Sequence, residues 1–370
     1  MTNNRRLSVA IIVPGGIGTG ANNIGVPVLE RLVKLLSREF QITVFSLFKI
    51  NEDYVAHEFE LIAVSAGNNI SRFLKLRRAF AEEHAQKNFI AVHGFWALPS
   101  GFYAVLLGKM YSIRSIVSIL GGDAIAFPEI KYGQMQRWVP LKLILWSLTN
   151  AGEVIVLTRY LQNNLKHNGL KRSNIKIIPW GIDTGLFPFH ARPIGNPIQF
   201  LHIANMHPVK DQTTLLRTFK LISDEVPAQL TIIGEGVLET EVKALAASLN
   251  LKNVTFISPL PYDQLPEYYE KADILLHTSL SEGQSEVVTE AMSSGVVVCG
   301  TRVGLMYDQP TCCVAVDVKD HIALAAETLA IIRDEKRFRQ IQKHAVEWAT
   351  THSILWTVEK LKACYVDGKA

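Results

Sequence analysis

The chain has 370 residues, 48% of them hydrophobic and 19% charged. That composition suits two domains of ordinary size with filled cores, and it excludes a disordered, fibrous or low-complexity protein. The formal charge of +4 conceals an asymmetry: residues 1–185 carry 21 Lys or Arg against 12 Asp or Glu, a balance of +9, and residues 186–370 carry 17 against 22, a balance of −5. The halves therefore meet different partners, or one half meets an anionic surface.

Arg5 and Arg6 ahead of an apolar run imitate the start of a signal peptide, but the run is short and passes into Gly15, Gly16, Ile17 and Gly18 with no small-residue cleavage site. It reads as a first strand, Ser8 to Val13. Further β-rich runs follow at Ile42 to Ser46, Leu61 to Val64, Ile90 to His93, Arg114 to Ile119, Val154 to Leu157 and Lys176 to Ile178, alternating with helical patterns. One of these, Ile70 to Phe80, is a basic amphipathic helix with Ile70, Phe73, Leu74 and Phe80 near one face; it is either a packed surface element or a face presented to anionic headgroups. The loop-like stretch from Phe187 to Pro197 is a natural linker. A second series then begins, with strands near Gln199 to Ile203, Gln229 to Ile233, Val254 to Ile257, Ile274 to His277 and Val296 to Gly300. Alternation of this kind predicts parallel sheets with crossover helices, so each half is expected to be a doubly wound α/β domain that binds ligands at the carboxyl ends of its strands. No apolar run approaches the roughly 18 to 20 residues of a membrane span. Cys299, Cys312, Cys313 and Cys364 form no CxxC and have no His at metal-ligand spacing, which suggests neither a zinc site nor a disulfide framework and fits a reducing cytoplasm; Cys312 and Cys313 read as loop residues.

The most informative stretch runs from Ala272 to Gly304. A buried strand, Ile274 to His277, leads to a loop hinged at Gly283, and a helix is expected from Glu286 to Ser294, before Gly295. Glu282 thus lies in the loop and Glu290 in the helix. The early N–H groups of that helix, around Gln284, Ser285, Glu286 and Val287, have no intrahelical acceptor and with the helix dipole make a site for phosphate or diphosphate.

This segment resembles the signature of the retaining glycosyltransferase family 4, whose usual form is Glu-Gly-Phe-Gly followed by a second Glu and Ala-Met-Ala-x-Gly. Here it reads Glu282 Gly283 Gln284 Ser285, then Glu290 Ala291 Met292 Ser293 Ser294 Gly295. The resemblance spans nearly the whole chain. Ile178 to Asp183 matches the motif ahead of the linker, His207 to Asp211 the donor-site Lys loop, and Ile232 to Gly236 the Gly-x-Gly strand end. It implies the GT-B fold, two Rossmann-like domains facing across a cleft, with an acceptor domain at residues 1–182 and a nucleotide-sugar donor domain at 183–352. A C-terminal helix at about 353–370 is expected to pack back on the first. It further implies a UDP- or GDP-sugar donor, a glycan or lipid-linked acceptor, no cofactor and no catalytic metal, in a cytoplasmic enzyme making cell-surface polysaccharide or glycolipid, stationed in solution or at the inner membrane face.

Residue by residue, Glu282 would contact the transferred sugar and Glu290 the ribose. Lys210 would neutralise the departing diphosphate. Gly234 and the backbone near Leu260 would line the donor site. Asn205 stands where the family usually has Arg, with Arg302 and His207 as substitutes. Gly16 and Gly18 would let backbone N–H groups approach the donor phosphates. Gly16 to Ala21 also fits G-x-G-x-x-A, the dinucleotide fingerprint, but the second strand ends near Lys49 without the acidic residue a ribose requires. His93 and Asp123 are the polar groups available to orient or deprotonate an acceptor hydroxyl; alternatively His93 is structural and Asp123 caps a helix. A sugar-nucleotide epimerase or hydrolase and a non-catalytic sugar-nucleotide sensor remain open as rivals, whereas dispersed basic residues argue against nucleic acid.

Overall fold

The computed structural model describes residues 6–19 and 25–366. They divide into two compact units. The first takes the described residues up to Leu157, Leu161–Pro179 and those from Ile354 on; the second takes Thr158–Tyr160 and Trp180–Ser353. The division after Pro179 falls three residues ahead of the expected one. Its cause is local: the Gln284 side-chain amide bonds both the N–H and the C=O of Trp180, and Ile182 bridges Ser353, so these residues belong to the second unit.

The first unit is a seven-stranded sheet of β1 (Ser8–Val13), β2 (Gln41–Ser46), β3 (Glu60–Ala63), β4 (Ala91–Phe95), β5 (Arg114–Ile119), β6 (Glu153–Val156) and β7 (Lys176–Ile177). Its order is β3-β2-β1-β4-β5-β6-β7, all parallel. The crossovers run through α1 (Pro27–Leu36), α2 (Asn69–Lys87), α3 (Phe102–Tyr111), α4 (Trp138–Asn150) and α5 (Arg159–His167). Phe45, Phe80 and Phe89 meet in the core beside α2, with centroids 5.2 to 6.4 Å apart. The C-terminal helix Ile354–Val366 packs against α1. In α2, capped by Asn68 accepting from Ser71 N at 2.9 Å, the core-facing stripe is half-buried Phe73 with buried Leu76 and Phe80, three and four residues apart. The expected face is split, because Ile70 and Leu74 turn to solvent.

The second unit repeats the pattern with β8 (Ile198–Ile203), β9 (Ala228–Ile233), β10 (Val254–Ile257), β11 (Ile274–His277), β12 (Val297–Thr301) and β13 (Cys313–Val316), parallel in the order β10-β9-β8-β11-β12-β13. Around it lie α6 (Gln212–Ser223), α7 (Glu239–Ser248), α8 (Pro266–Lys271), α9 (Glu286–Ser294), α10 (Leu305–Asp308), α11 (His321–Arg333) and α12 (Glu335–Thr351). Alternation along the strands sorts residues between two cores: Phe200, Ile274, Leu276, Val297 and Cys299 face α6 and α11, while Leu201, Leu275 and Val298 face α8, α9 and α12. This two-faced burial explains why the strands read as continuous apolar runs. Cys313 opens β13 instead of lying in a loop, and all four thiols are buried and free. Among the described residues no helix is long and apolar enough to cross a membrane.

Candidate active site

β8 and β11 are neighbours in the sheet although three strands apart along the chain, so the crossovers leave them in opposite directions and their carboxyl ends open a crevice. Their ladder holds only at Phe200–Ile274 and Leu201–Leu275, and beyond it the strands part. The loops that rise there are laced together. Leu280 N donates to Val209 O at 2.7 Å, and Thr278 Oγ1 donates to the carbonyls of Lys210 and Asp211 at 3.0 and 3.1 Å.

That lacing brings Lys210 to Glu282, 72 residues away in sequence. Lys210 Nζ donates to Glu282 Oε1 at 2.6 Å, Ser279 Oγ donates to the same oxygen at 2.6 Å, and His277 Nε2 stands 3.5 Å from it. Burial by itself raises the Glu282 carboxyl, but the Lys210 ammonium and His277 outweigh it and hold the pKa well below the usual carboxylate range. Glu282 is therefore an anion at every physiological pH, oriented by two donors.

Next to it, Ser285 leads into α9 at φ +81°, and the first-turn N–H groups of Glu286 and Val287 have no acceptor within the helix. The loop before α9 is fixed on both sides. Gly283 O accepts from Thr158 Oγ1 at 2.7 Å, and the Gln284 amide is spent on Trp180 at 2.6 and 2.8 Å, so only its backbone is offered to a ligand. A Cβ at Gly304 (φ +54°) would lie 2.8 Å from Glu282 Cβ, so the chain passes behind the carboxylate only as glycine.

Glu290, one helical turn beyond Glu286, is buried in an aromatic pocket where Tyr269 OH donates to its Oε2 at 2.6 Å. Burial pushes this carboxyl up to about 7, against the pull of Tyr269 and Tyr262, and pushes Glu286 up to about 8, helped by the charges of Glu290 and Glu282. Both native values exceed those of the unfolded chain, so as pH rises the unfolded state sheds its protons first and stability falls until the native carboxyls ionise. Buried His93 and His202 act oppositely, because desolvation lowers them to about 3 and about 4; their contribution is complete above the unfolded His value. Between about pH 6.5 and 8 only the carboxyls act. Thermal melts in that window are expected to show stability declining with pH. Glu290→Gln removes its part of the decline, about 1 kcal/mol across that window; an unchanged slope contradicts the assignment.

Of the remaining expected residues, Asn205 is exposed in the loop after β8, and Leu260 is half-buried against the core shared with α8 and α9. Arg302 donates to Ala315 O at 2.8 Å beside β13, and His207 Nδ1 accepts from Val209 N at 3.3 Å, which closes the turn that presents Lys210. In the first unit, Gly16 (φ +94°) accepts from Val26 N at 2.7 Å, and Gly18 (φ +60°) packs under Tyr54, where a Cβ would lie 2.4 Å from the ring; Ala21 is outside the described residues. His93 lies inside β4 with Nδ1 2.9 Å from Tyr365 OH and Nε2 2.8 Å from Ser118 Oγ. With both nitrogens occupied and no exposure, it is placed to pack the C-terminal helix on the sheet. Asp123, also buried, accepts from Ala97 N, Leu120 N and Gly121 N at 2.8, 3.2 and 2.8 Å, tying the turns after β4 and β5 instead of capping a following helix. Ser279, His277, Tyr269 and Gly304 escaped the sequence reading; the Ser at position −3 from Glu282 and the His closing a buried strand were its only signals.

Two family models match the chain: glycosyl transferases group 1 over residues 187–348, and glycosyltransferase family 4 over residues 25–186. It is 32% identical over 314 residues to a D-inositol 3-phosphate glycosyltransferase of Corynebacterium diphtheriae, covering 78% of this chain and 73% of that one. The chain is a family 4, group 1 glycosyltransferase. Among solved structures, this glycosyltransferase is similar to sucrose-phosphate synthase from Thermosynechococcus elongatus, with TM-score 0.81, 21% identity and 97% and 98% of the two chains covered. It is also similar to Anabaena HepE in complex with UDP-glucose, with TM-score 0.76, 15% identity and 96% and 98% covered. The glycosyltransferase therefore has the two Rossmann-like domains of the GT-B fold.

Proposed function

We propose that this glycosyltransferase moves a sugar, with retention of anomeric configuration, from a UDP- or GDP-sugar to a hydroxyl of a glycan or lipid-linked acceptor. The observation that carries the reading is the Lys210–Glu282 pair at the switch point of the second unit, beside the N-terminus of α9. A departing nucleoside diphosphate gathers negative charge, and Lys210, whose ammonium has two further N–H donors, together with the α9 amides, opposes that charge without a divalent ion. The anionic Glu282 faces the positive charge that develops on the transferred sugar as its bond to the diphosphate lengthens. Glu290, partly protonated near neutrality, donates to or accepts from ribose hydroxyls. The UDP-glucose held by the HepE structure supports a nucleotide-sugar donor. The first unit takes the acceptor, with Asp123 shaping its loops rather than touching the reacting atoms.

The slow hydrolysis of donor by water tests this without a known acceptor. Followed by proton NMR with an α-linked nucleotide sugar, the first product released is expected to be the α-anomer, before mutarotation, at a rate unaffected by EDTA. First release of the β-anomer contradicts retention.

A further inference from the structure

We propose that α4 and the first turns of α2 form a docking surface for an anionic lipid bilayer. The residues of α4 at 138, 139, 142, 143 and 146 share one arc of the helix, and they are Trp, Val, Lys, Leu and Trp. All are exposed, Trp138 by 71% and Val139 by 56%, while Ile144, Ser147 and Leu148 on the opposite arc bury the helix against its unit. Two tryptophans on the solvent side of one helix leave an apolar surface that a monomeric protein rarely leaves open without a partner.

Three observations select a lipid surface as that partner. First, α4 has Lys142 as its only charged residue, Arg137 directly precedes it, and Lys109 lies 5.1 Å from the Trp146 ring, so the arc carries three cations. Second, ring packing through α3 ties α4 to α2: Trp146 lies 5.3 Å from Phe102, Phe102 6.2 Å from the buried Tyr103, and Tyr103 5.1 Å from Phe73 of α2. There Ile70, 77% exposed, and Leu74 stand among Arg72, Lys75, Arg77 and Arg78, with no acidic residue before Glu82. Third, large aromatic and aliphatic side chains amid lysines and arginines match an interface whose headgroups are anionic and whose acyl boundary is apolar. The starts of α2, α3 and α4 follow the carboxyl ends of β3, β4 and β5, the edge where a doubly wound unit binds ligands. Docked in this way, the first unit would present that edge to an acceptor anchored in the bilayer. The proposal extends the reading of function and stands on surface residues alone.

Co-sedimentation of the full chain with vesicles tests it. Phosphatidylcholine vesicles containing phosphatidylglycerol are expected to retain the protein at low salt, pure phosphatidylcholine vesicles far less, and Trp fluorescence should shift to the blue on binding. Trp138→Ser combined with Val139→Ser is expected to weaken binding roughly tenfold or more, and Lys142→Glu to weaken it severalfold, the latter effect fading as salt rises. These exposed positions leave folding intact, which unchanged nucleotide titration confirms independently. Absence of binding to anionic vesicles, or equal binding by all variants, overturns the proposal. A concentration-dependent dimer abolished by the Trp138 change also overturns it, by showing that a second copy covers this face.

Discussion

Glu282→Gln is expected to lower donor turnover by roughly 100-fold to 10,000-fold while leaving nucleoside diphosphate affinity unchanged or raised. The substitution preserves shape and removes one charge. In the native site Lys210 shares its ammonium with Glu282 Oε1 at 2.6 Å, and Ser279 holds the same oxygen. With a neutral amide there, Lys210 loses a competitor for the diphosphate, so binding is maintained or strengthened. What disappears is the fixed negative charge facing the sugar, whose value is greatest when the glycosidic bond to the leaving group is stretched. The fold tolerates the change at a cost of about 1 to 3 kcal/mol, because the amide oxygen still accepts hydrogen bonds while the charge that attracts Lys210 and faces His277 is gone. Full turnover in this variant, with normal nucleotide binding, removes Glu282 from the chemistry.

Gly234→Ala is expected to destabilise the second unit by about 3 kcal/mol or more and to abolish nucleotide binding. Gly234 follows β9 at φ +143°, where a Cβ would lie 2.1 Å from Ala204 O; at Gly236, φ +157°, it would lie 2.4 Å from Met206 O. Both contacts are with the backbone of the loop after β8, which has no side chain to move aside. Met206 N donates to Glu235 O at 2.8 Å, so the two loops are bound at this separation and a displaced Gly234 carries the Lys210 turn with it. Gly67→Ala is the control, since a Cβ there meets nothing within 4 Å. It should change stability by less than about 0.5 kcal/mol. Equal melting behaviour of the two variants would contradict the close-approach argument.

The sequence made the strands legible because both faces of each sheet are buried, and apolar runs separated by helical periodicity are what such burial requires. β10 and β11 lie where their hydrophobicity placed them, and α9 begins at Glu286 as its turn residues indicate. β13 stayed hidden because Cys312 and Cys313 follow a Pro-containing turn and read as loop, although Cys313 to Val316 pairs in register with β12. In the site, Lys210 and Glu282 were recognisable as loop residues at strand ends, but their contact was not. It depends on β8 and β11 being spatial neighbours and on Thr278 and Leu280 stitching the two loops. His93 shows the same limit: its neighbour Tyr365 comes from the far end of the chain, and nothing in the segment around residue 93 announces that both ring nitrogens will be occupied. Gln284, which stands in place of the family's Phe, was expected to offer its backbone N–H to the donor; that its side chain clamps Trp180 was not legible.

The most direct test of the central claim is calorimetric titration of the full chain with UDP, GDP and ADP and their sugar conjugates, in wild type and in Lys210→Ala. One base is expected to bind selectively, equally well with and without EDTA, and Lys210→Ala to weaken that binding by roughly tenfold or more, the worth of a charge-assisted contact to phosphate. Failure of every nucleotide to bind, or affinity that ignores the loss of Lys210, would contradict a diphosphate site at the carboxyl ends of β8 and β11.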